Sequence, residues 1–552
     1  MKNEDKLNEL EKFRNKIDEI DSQIFSLLGE RLKISEDIAE IKKSSGLPIF
    51  DALRENNKIK DISESSTLDV RRTNINIYKI LSEESKNRQN EIIEKGRYGL
   101  IGRGLEHSIS PEVHRMLGVV NYELLDIKDL EELKDILYDK SFLGFNVTSP
   151  YKREIIKYLD EISYEASLVN AVNTIKRTKD GRLIGYNTDI YGFEKLARIS
   201  SPADKNILIL GSGGGAMASC IGMRNLKAKK IILASRNPLR AKDRVAGLAD
   251  EIISYDEISK YEDIDIIINA TRIGMYPYNG RTPFDIQGKK VPTFEKLSWA
   301  IDLIYNPYRT RFLLIYKDYG KKIISGLPML VWQAIRSEEI WERLPEDIDK
   351  EHLAEIIIAR CLLNNLNITF IGMPGSGKSS ISRRLAGIMG REFIDIDRLA
   401  EKEMGTSIAD VINDENLGEE YFRKIETSVL ARECKEAGKV IATGGGSIIR
   451  RVNRNCIREN SIVIYMKRPL KLITTKNRPI SIREGVLNIY KKRAKMYENT
   501  ADILIFNDRR FGGIGLGGRS KAYNKDINTF AAELREIIEA EIKNMARDIS
   551  GD

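Results

Sequence analysis

The sequence predicts a multidomain chain. An all-α N-terminal segment that dimerises comes first, then a two-lobed α/β region with a Rossmann-like nucleotide lobe. A second α/β unit follows, its parallel sheet built around a phosphate-binding loop. Three observations predict this. At 552 residues, with 41% hydrophobic and 31% charged content, the chain has globular composition and is too long for one core. Residues 6–43 carry a helical apolar stripe, whereas from 97 onward short apolar runs alternate with helical stretches. Two glycine-rich turns, near 211 and 372, each follow an apolar run and open a helix.

Composition narrows the function classes. The net charge of +8 comes from 90 basic and 82 acidic residues interspersed along the chain. No basic stripe marks a nucleic-acid partner, and anionic small substrates account equally well for a mild excess. Four cysteines without a C-x-x-C pair and three histidines indicate neither a disulfide framework nor a zinc site. The charged start "MKNEDKLNELEK" has no apolar signal core, and no run of about 18 apolar residues occurs. The expectation is a cytoplasmic protein with no membrane partner.

The first helix carries apolar residues at 7, 10, 13, 17, 20, 24, 27, 28, 34, 38 and 41, and Gly46 and Pro48 end it. Such a helix runs roughly 57 Å, longer than a small domain is wide, and wants a partner along its length. Shorter helices are expected around 50–64 and 72–94. Arg14, Arg31 and Lys42 sit on this apolar helix, and Arg31 and Lys42, three turns apart, share a face. Asp51, Arg54 and Glu55 follow in "IFDALRE", then Ser85 and Gln89. From the residues alone this is a dimerising coiled coil. The set resembles the all-helical chorismate mutase over residues 1–95. That resemblance implies rearrangement of chorismate to prephenate in a homodimer paired through the long helices. Arg14 would serve the partner's site, and Arg31 and Arg54 would bind carboxylates in their own. Lys42 and Gln89 would donate to the ether oxygen, Asp51 and Glu55 would hold the ring hydroxyl, and Ser85 would line the site. The alternative is a non-catalytic dimerisation or regulatory module.

In residues 97–345, "KNILIL" leads into "GSGGGAMAS". Gly211, Gly213, Gly214 and Gly215 permit a tight turn and close approach of a pyrophosphate to a helix N-terminus. Ser235, Arg236 and Asn237 end the next strand where an NAD site usually places an acid, and they suit a 2′-phosphate, favouring NADP. Around this unit stand "HSISP" (Ser108, Ser110), "NVTSPYK" (Thr148, Lys152), "NAVNT" (Asn173), "GYNTD" (Asp189), "DLIYNP" (Tyr305) and "GLPMLVWQA" (Gln333). Together they resemble shikimate dehydrogenase, with a substrate lobe at 97–198 and 306–345 and an NADP lobe at 199–305. The resemblance implies reduction of 3-dehydroshikimate to shikimate, with Lys152 and Asp189 as the proton-transfer pair. Ser108, Ser110, Thr148, Asn173, Tyr305 and Gln333 would hold the substrate. "IGRGLEHS" lacks the family's proline, Asn170 replaces a common glycine and Glu338 an aromatic. A quinate-preferring relative is the alternative.

A linker is expected at 346–365, with a helical stretch over 346–363. In residues 366–552, "IGMPGSGKSS" fits G-x-x-x-x-G-K-[ST] after strand "ITFIG". Gly372, Gly375, Ser376 and Gly377 turn backbone N–H groups toward phosphates, Lys378 reaches them, and Ser379 and Ser380 open the helix. This loop identifies ATP with Mg²⁺ as donor. Then come Asp395 and Asp397, Arg423 and Glu426, Gly444, Gly445 and Gly446, Arg478, and Arg493. In this order they resemble shikimate kinase. By that resemblance Ser379 and Asp395 serve the metal, and Asp397 orients the attacking hydroxyl. Arg423 and Arg493 clamp the carboxylate, the glycines let backbone approach the ring, and Arg478 rides on a lid. The lid "NRPISIREG" is short for the family, and 511–519, "FGGIGLGGR", reads as a glycine-rich loop.

Overall fold

The computed structural model describes residues 3–45, 54, 58–59, 61–62, 65–66, 68–93, 96–119, 121–245, 247–473, 479–507 and 527–550. Gly46, Pro48, Asp51, Glu55, Arg478 and the 511–519 stretch lie outside the described residues. The chain divides into two units, Met1–Asn187 with Ser337–Asp349, and Thr188–Arg336 with Lys350–Asp552.

The first unit holds the expected long helix, continuous over Asn3–Ser45, and a second helix, Leu68–Ile93, packed against it. Ser35 and Ala39 on the first and Ile75, Ser82, Ser85 and Gln89 on the second are buried. The stripe is only partly covered: Phe13, Ile17, Ile20, Ile24, Leu27, Ile34 and Ile41 are exposed.

The same unit contains a six-stranded sheet in the order β2-β1-β3-β5-β6-β4. The strands are β1 (Arg97–Gly102), β2 (Tyr122–Asp126), β3 (Phe142–Val147), β4 (Glu161–Ile162), β5 (Thr174–Arg177) and β6 (Leu183–Tyr186). β1 runs parallel to β2 and β3, but β5 is antiparallel to both β3 and β6. Alternation of strands and helices implied parallel pairing throughout. The hairpin departs because only a short turn, with Gly181 at φ 91°, separates β5 from β6, too little for a crossover.

In the second unit β7 (Asn206–Leu210), β8 (Lys230–Ala234), β9 (Glu251–Ile253), β10 (Ile266–Asn269), β11 (Trp299–Asp302) and β12 (Lys322–Ile324) form an all-parallel sheet, β12-β11-β10-β7-β8-β9. The order reverses between β7 and β10, which opens a crevice at the carboxyl end of β7. The expected lobe boundaries shift. β12 pairs with β11, so residues through that strand stay with the nucleotide lobe. Helix Asp189–Arg198 packs on helix Gly214–Asn225 of the same unit.

The third sheet, β14-β15-β13-β16-β17, is also parallel: β13 (Asn367–Ile371), β14 (Phe393–Asp395), β15 (Val440–Ala442), β16 (Ser461–Lys467) and β17 (Ile503–Phe506). β13 and β15 are buried along their whole length, as expected of strands covered on both faces. The stretch expected as a linker contains the helix Lys350–Asn365, which buries Leu353, Ile357, Ile358 and Cys361 and packs against the C-terminal helix Ile527–Ser550. No described helix is long and apolar enough to cross a membrane.

Candidate active sites

In the third-sheet domain, β13 delivers the loop 372–377 to the helix Lys378–Met389. Gly372, Gly375 and Gly377 take φ of 147°, 79° and 95°, which L side chains rarely adopt. Lys378 Nζ donates to the carbonyls of Gly372 (2.9 Å) and Met373 (3.1 Å), tying the loop to its own helix. Ser376 Oγ is buried without a hydrogen-bond partner among the described residues, while Ser379 and Ser380 are exposed on the first helical turn. Two groups the sequence reading did not single out brace the loop: Asn507 Nδ2 donates to the Ser376 carbonyl at 2.6 Å and Arg468 Nη1 to that of Gly375 at 3.0 Å. A polar residue directly after each of the strands β17 and β16 was the available signal.

Beside the loop, Asp395 caps the helix Ile396–Met404 and Asp397 lies in its first turn. Burial lifts the Asp397 carboxyl to about 7; Glu426 and Asp395 add to the rise, and Lys378 and Arg423 oppose it. Arg423 is held by Glu426 at 2.8 Å and Glu419 at 3.2 Å; burial works against its charge and the two glutamates override that. Glu426, fully buried, also accepts from Ser447 Oγ at 2.6 Å. A Cβ on Gly444 would strike the Asp397 and Glu426 carboxylates, and one on Gly446 the Arg423 guanidinium. Arg493 Nη1 and Tyr497 Oη both donate to the Gly445 carbonyl. The expected aspartate, arginines and glycine turn therefore converge, and Ser447 and Tyr497 join them.

In the nucleotide lobe, Gly211 follows β7 at φ 111°, where a Cβ would press on Ala270 and Thr271. Gly213 caps the helix Gly214–Asn225, and a Cβ on Gly213 or Gly214 would meet nothing, so both face open space. A Cβ on Gly215 would meet Leu303 at 3.1 Å, which fits close packing of the helix on the sheet. Ser235, just past β8, shares a 3.3 Å contact with Ser212, and Arg236 and Asn237 beside it are exposed. Asp302, at the end of β11, accepts from Asn269 (3.0 Å), Thr310 (2.6 Å) and the Ile304 N–H (3.0 Å). It thereby pins both ends of the loop carrying Tyr305. Burial pushes its carboxyl up to about 7 against these three donors. Asp189 is buried as the first residue of its helix, and Gly192 one turn on lets Gln333 approach.

In the first unit, the carboxyl ends of β1 and β3 gather the other expected residues. Thr148 N–H donates to Ile101, Val147 N–H to Asn173 and Val172 N–H to the Lys152 carbonyl, all at 2.8 Å. Ser108 and Ser110 share a 3.2 Å contact before the helix Ser110–Met116. Behind them, Asn146 donates to Thr174 (3.1 Å) and Ser337 (2.9 Å) and accepts from Tyr122 (2.7 Å). His114 meets Glu338 at 2.6 Å, and Arg343 bonds the other Glu338 oxygen at 2.9 Å. The glutamate standing where an aromatic is usual is thus satisfied by two partners. Burial holds His114 down to about 3.

Between the two N-terminal helices, Arg31 Nη1 donates to Ser85 Oγ and, at 2.8 Å, to the Leu81 carbonyl, and Ser35 meets Ser85 at 3.0 Å. Gln89, one turn beyond Ser85, is buried, and its Oε1 has no partner among the described residues. Lys42 is half-buried, and Arg14 and Arg54 are exposed.

The fold and sites define a multifunctional enzyme, with a helical bundle fused to a dinucleotide-dependent oxidoreductase and a P-loop phosphotransferase. Residues 13–90 match the family Chorismate mutase type II, residues 100–175 the Shikimate dehydrogenase substrate binding domain and residues 374–511 Shikimate kinase. The Shikimate dehydrogenase (NADP(+)) of Caldicellulosiruptor bescii is 40% identical over 258 residues, covering 44% of this chain and 88% of its own length. That of Clostridium perfringens is 38% identical over 264 residues, covering 46% and 95%. A solved chorismate mutase/shikimate 5-dehydrogenase fusion protein from Clostridium acetobutylicum is 38% identical, covers 48% of this chain and 96% of its own, and superposes with a TM-score of 0.42. The chain belongs to the shikimate dehydrogenase family, as a shikimate-pathway fusion with type II chorismate mutase and shikimate kinase domains.

Proposed function

We propose that the chain catalyses three reactions: NADPH-dependent reduction of 3-dehydroshikimate to shikimate, ATP-dependent phosphorylation of shikimate to shikimate 3-phosphate, and rearrangement of chorismate to prephenate. The domains for these run over 97–345, 366–552 and 1–95, with the packed helix Lys350–Asn365 in the stretch between the first two. The observation that carries the reading is the convergence on one P-loop of Asp397, Arg423, Arg493 and the Gly444–Gly446 turn. A carboxylate facing two guanidinium groups across bare backbone suits a polyhydroxylated ring acid.

In the kinase, Asp397 orients the attacking hydroxyl, Arg423 and Arg493 take the substrate carboxylate, and Lys378 turns to the transferred phosphate. Ser379 and Asp395 offer hard oxygen donors that suit Mg²⁺, which when bound neutralises charge on the phosphates. Arg478, by the resemblance to shikimate kinase, would neutralise charge during transfer. In the dehydrogenase, Ser108, Ser110, Thr148, Asn173, Tyr305 and Gln333 hold the substrate, and Lys152 and Asp189 handle the proton at the reacting oxygen. Gly211–Gly215 carry the NADP pyrophosphate and Ser235, Arg236 and Asn237 its 2′-phosphate. In the mutase, Arg31, Arg54 and a partner's Arg14 bind two carboxylates, Lys42 and Gln89 donate to the ether oxygen, and Asp51 and Glu55 hold the ring hydroxyl. Pericyclic rearrangement then needs only folding of the substrate and stabilisation of that charge. The exposed stripe of the first helix supports a homodimer, and a cytoplasmic location is part of the same proposal.

The test is incubation of the full chain with 3-dehydroshikimate, NADPH, ATP and Mg²⁺, with products identified by mass spectrometry. Shikimate 3-phosphate is expected, and only shikimate with Lys378→Met. Full phosphorylation by that variant would remove the kinase assignment.

A further inference from the structure

The nucleotide lobe and the kinase domain belong to one unit, and a buried ion pair joins them. Arg309 lies in the loop between β11 and the helix Arg311–Asp318, next to Thr310, which is anchored on Asp302. Its guanidinium meets the Asp502 carboxylate at 3.1 Å, with the two side chains only 6% and 12% exposed, and its backbone N–H donates to the Glu459 carbonyl at 2.8 Å. Lys317 stands 3.6 Å from the other Asp502 oxygen, and Arg458 pairs with Asp318 at 2.8 Å. A contact this dry does more than tether two domains: a surface pair is worth little, whereas removing one member of a buried pair strands the other.

The kinase side of the pair leads to the phosphate loop. Asp502 immediately precedes β17, and the oxygen that meets Arg309 also accepts the Val463 N–H of β16 at 3.0 Å. β17 is four residues long, Ile503–Phe506, and Asn507 follows it directly. The Asn507 backbone N–H donates to Lys467 at 2.8 Å, and its side chain donates to the Ser376 carbonyl inside the loop at 2.6 Å. A Cβ on Gly377 would collide with that same amide, so Asn507 closes the wall of the loop.

We infer that Arg309, a residue of the dehydrogenase's nucleotide lobe, is a positioning residue for the kinase: through Asp502, β17 and Asn507 it sets the phosphate loop that receives ATP. The inference rests on the kinase reading above. Burial and Arg309 act in opposite senses on Asp502. Arg309 and Lys317 win, holding the carboxyl below its ordinary range, so the pair is charged.

The test is steady-state shikimate phosphorylation by the full chain. Arg309→Met is expected to raise the KM for ATP by about three- to thirtyfold, with the KM for shikimate and the dehydrogenase kcat unchanged. Arg309→Lys should recover most of the affinity. Asp502→Asn keeps the volume and an acceptor for Val463, and should reproduce the ATP effect; combined with Arg309→Met it should add nothing further. A parental ATP KM in either folded single variant overturns the inference. So does a fall in kinase kcat that only tracks loss of folded protein by circular dichroism. If the parental chain fails to phosphorylate shikimate, the kinase reading falls and takes the inference with it, a result separable from the variant series.

Discussion

Glu426→Gln tests whether Arg423 is aimed by its neighbours or by the substrate. Glu426 is fully buried and binds Arg423 at 2.8 Å, while its second oxygen takes the Ser447 hydroxyl at 2.6 Å. Glutamine keeps the volume and an acceptor for Ser447, so the change isolates the charge. Stranding a buried partner costs about 3–5 kcal/mol. Arg423 retains Glu419 at 3.2 Å, a third exposed and so partly screened, which leaves a loss of about 2 kcal/mol. The guanidinium must then be held by Glu419 and the substrate carboxylate, in a site that no longer fixes its angle over Gly446. If that loss appears at the substrate, the KM for shikimate rises by roughly thirtyfold. The assay is coupled ATP turnover with shikimate and ATP varied in turn, alongside a thermal melt. An unchanged shikimate KM together with a lowered melting temperature would refute the reasoning and leave the pair a purely structural one.

Other perturbations separate the remaining sites. Asp302 keeps a proton in the fold up to about 7, whereas an unfolded carboxyl loses it near 4. Between those values the folded state binds more protons, so stability is highest at the acid end and falls as pH rises, by up to about 4 kcal/mol. The melting temperature of the parental chain should drop across that window relative to Asp302→Asn, and parallel profiles would show that Asp302 is ionised in the fold. Arg236→Ala should weaken NADPH binding by about tenfold and leave NADH binding unaltered. Equal losses with both cofactors would remove the 2′-phosphate argument. Mixing inactive Arg14→Ala with inactive Lys42→Ala subunits should recover about a quarter of mutase activity, since half the dimers carry one intact site. Verified heterodimers without activity would sink the shared site.

Local patterns in the sequence determined a great deal. The long helix follows from its apolar periodicity, and the central strands of all three sheets follow from runs such as "NILIL", "DIIIN" and "ITFIG", because strands buried on both faces must be apolar throughout. The glycine turns were legible because backbone at φ above zero, or within reach of a phosphate, tolerates no side chain. Short edge strands such as β4, β9 and β12 carry no such run, since an edge needs only two or three residues and one covered face. For that reason the lobe boundary was set too early. Long-range partnership was the part no local pattern holds. That Glu426 and Ser447 support Arg423, that Glu338 pairs with His114 and Arg343, and that Asn507 braces a loop 131 residues earlier depends on which strand ends the folded sheets bring together. The Arg309–Asp502 pair, 193 residues apart, goes a step further: only the docking of one domain on another brings the two charges together and removes both from water.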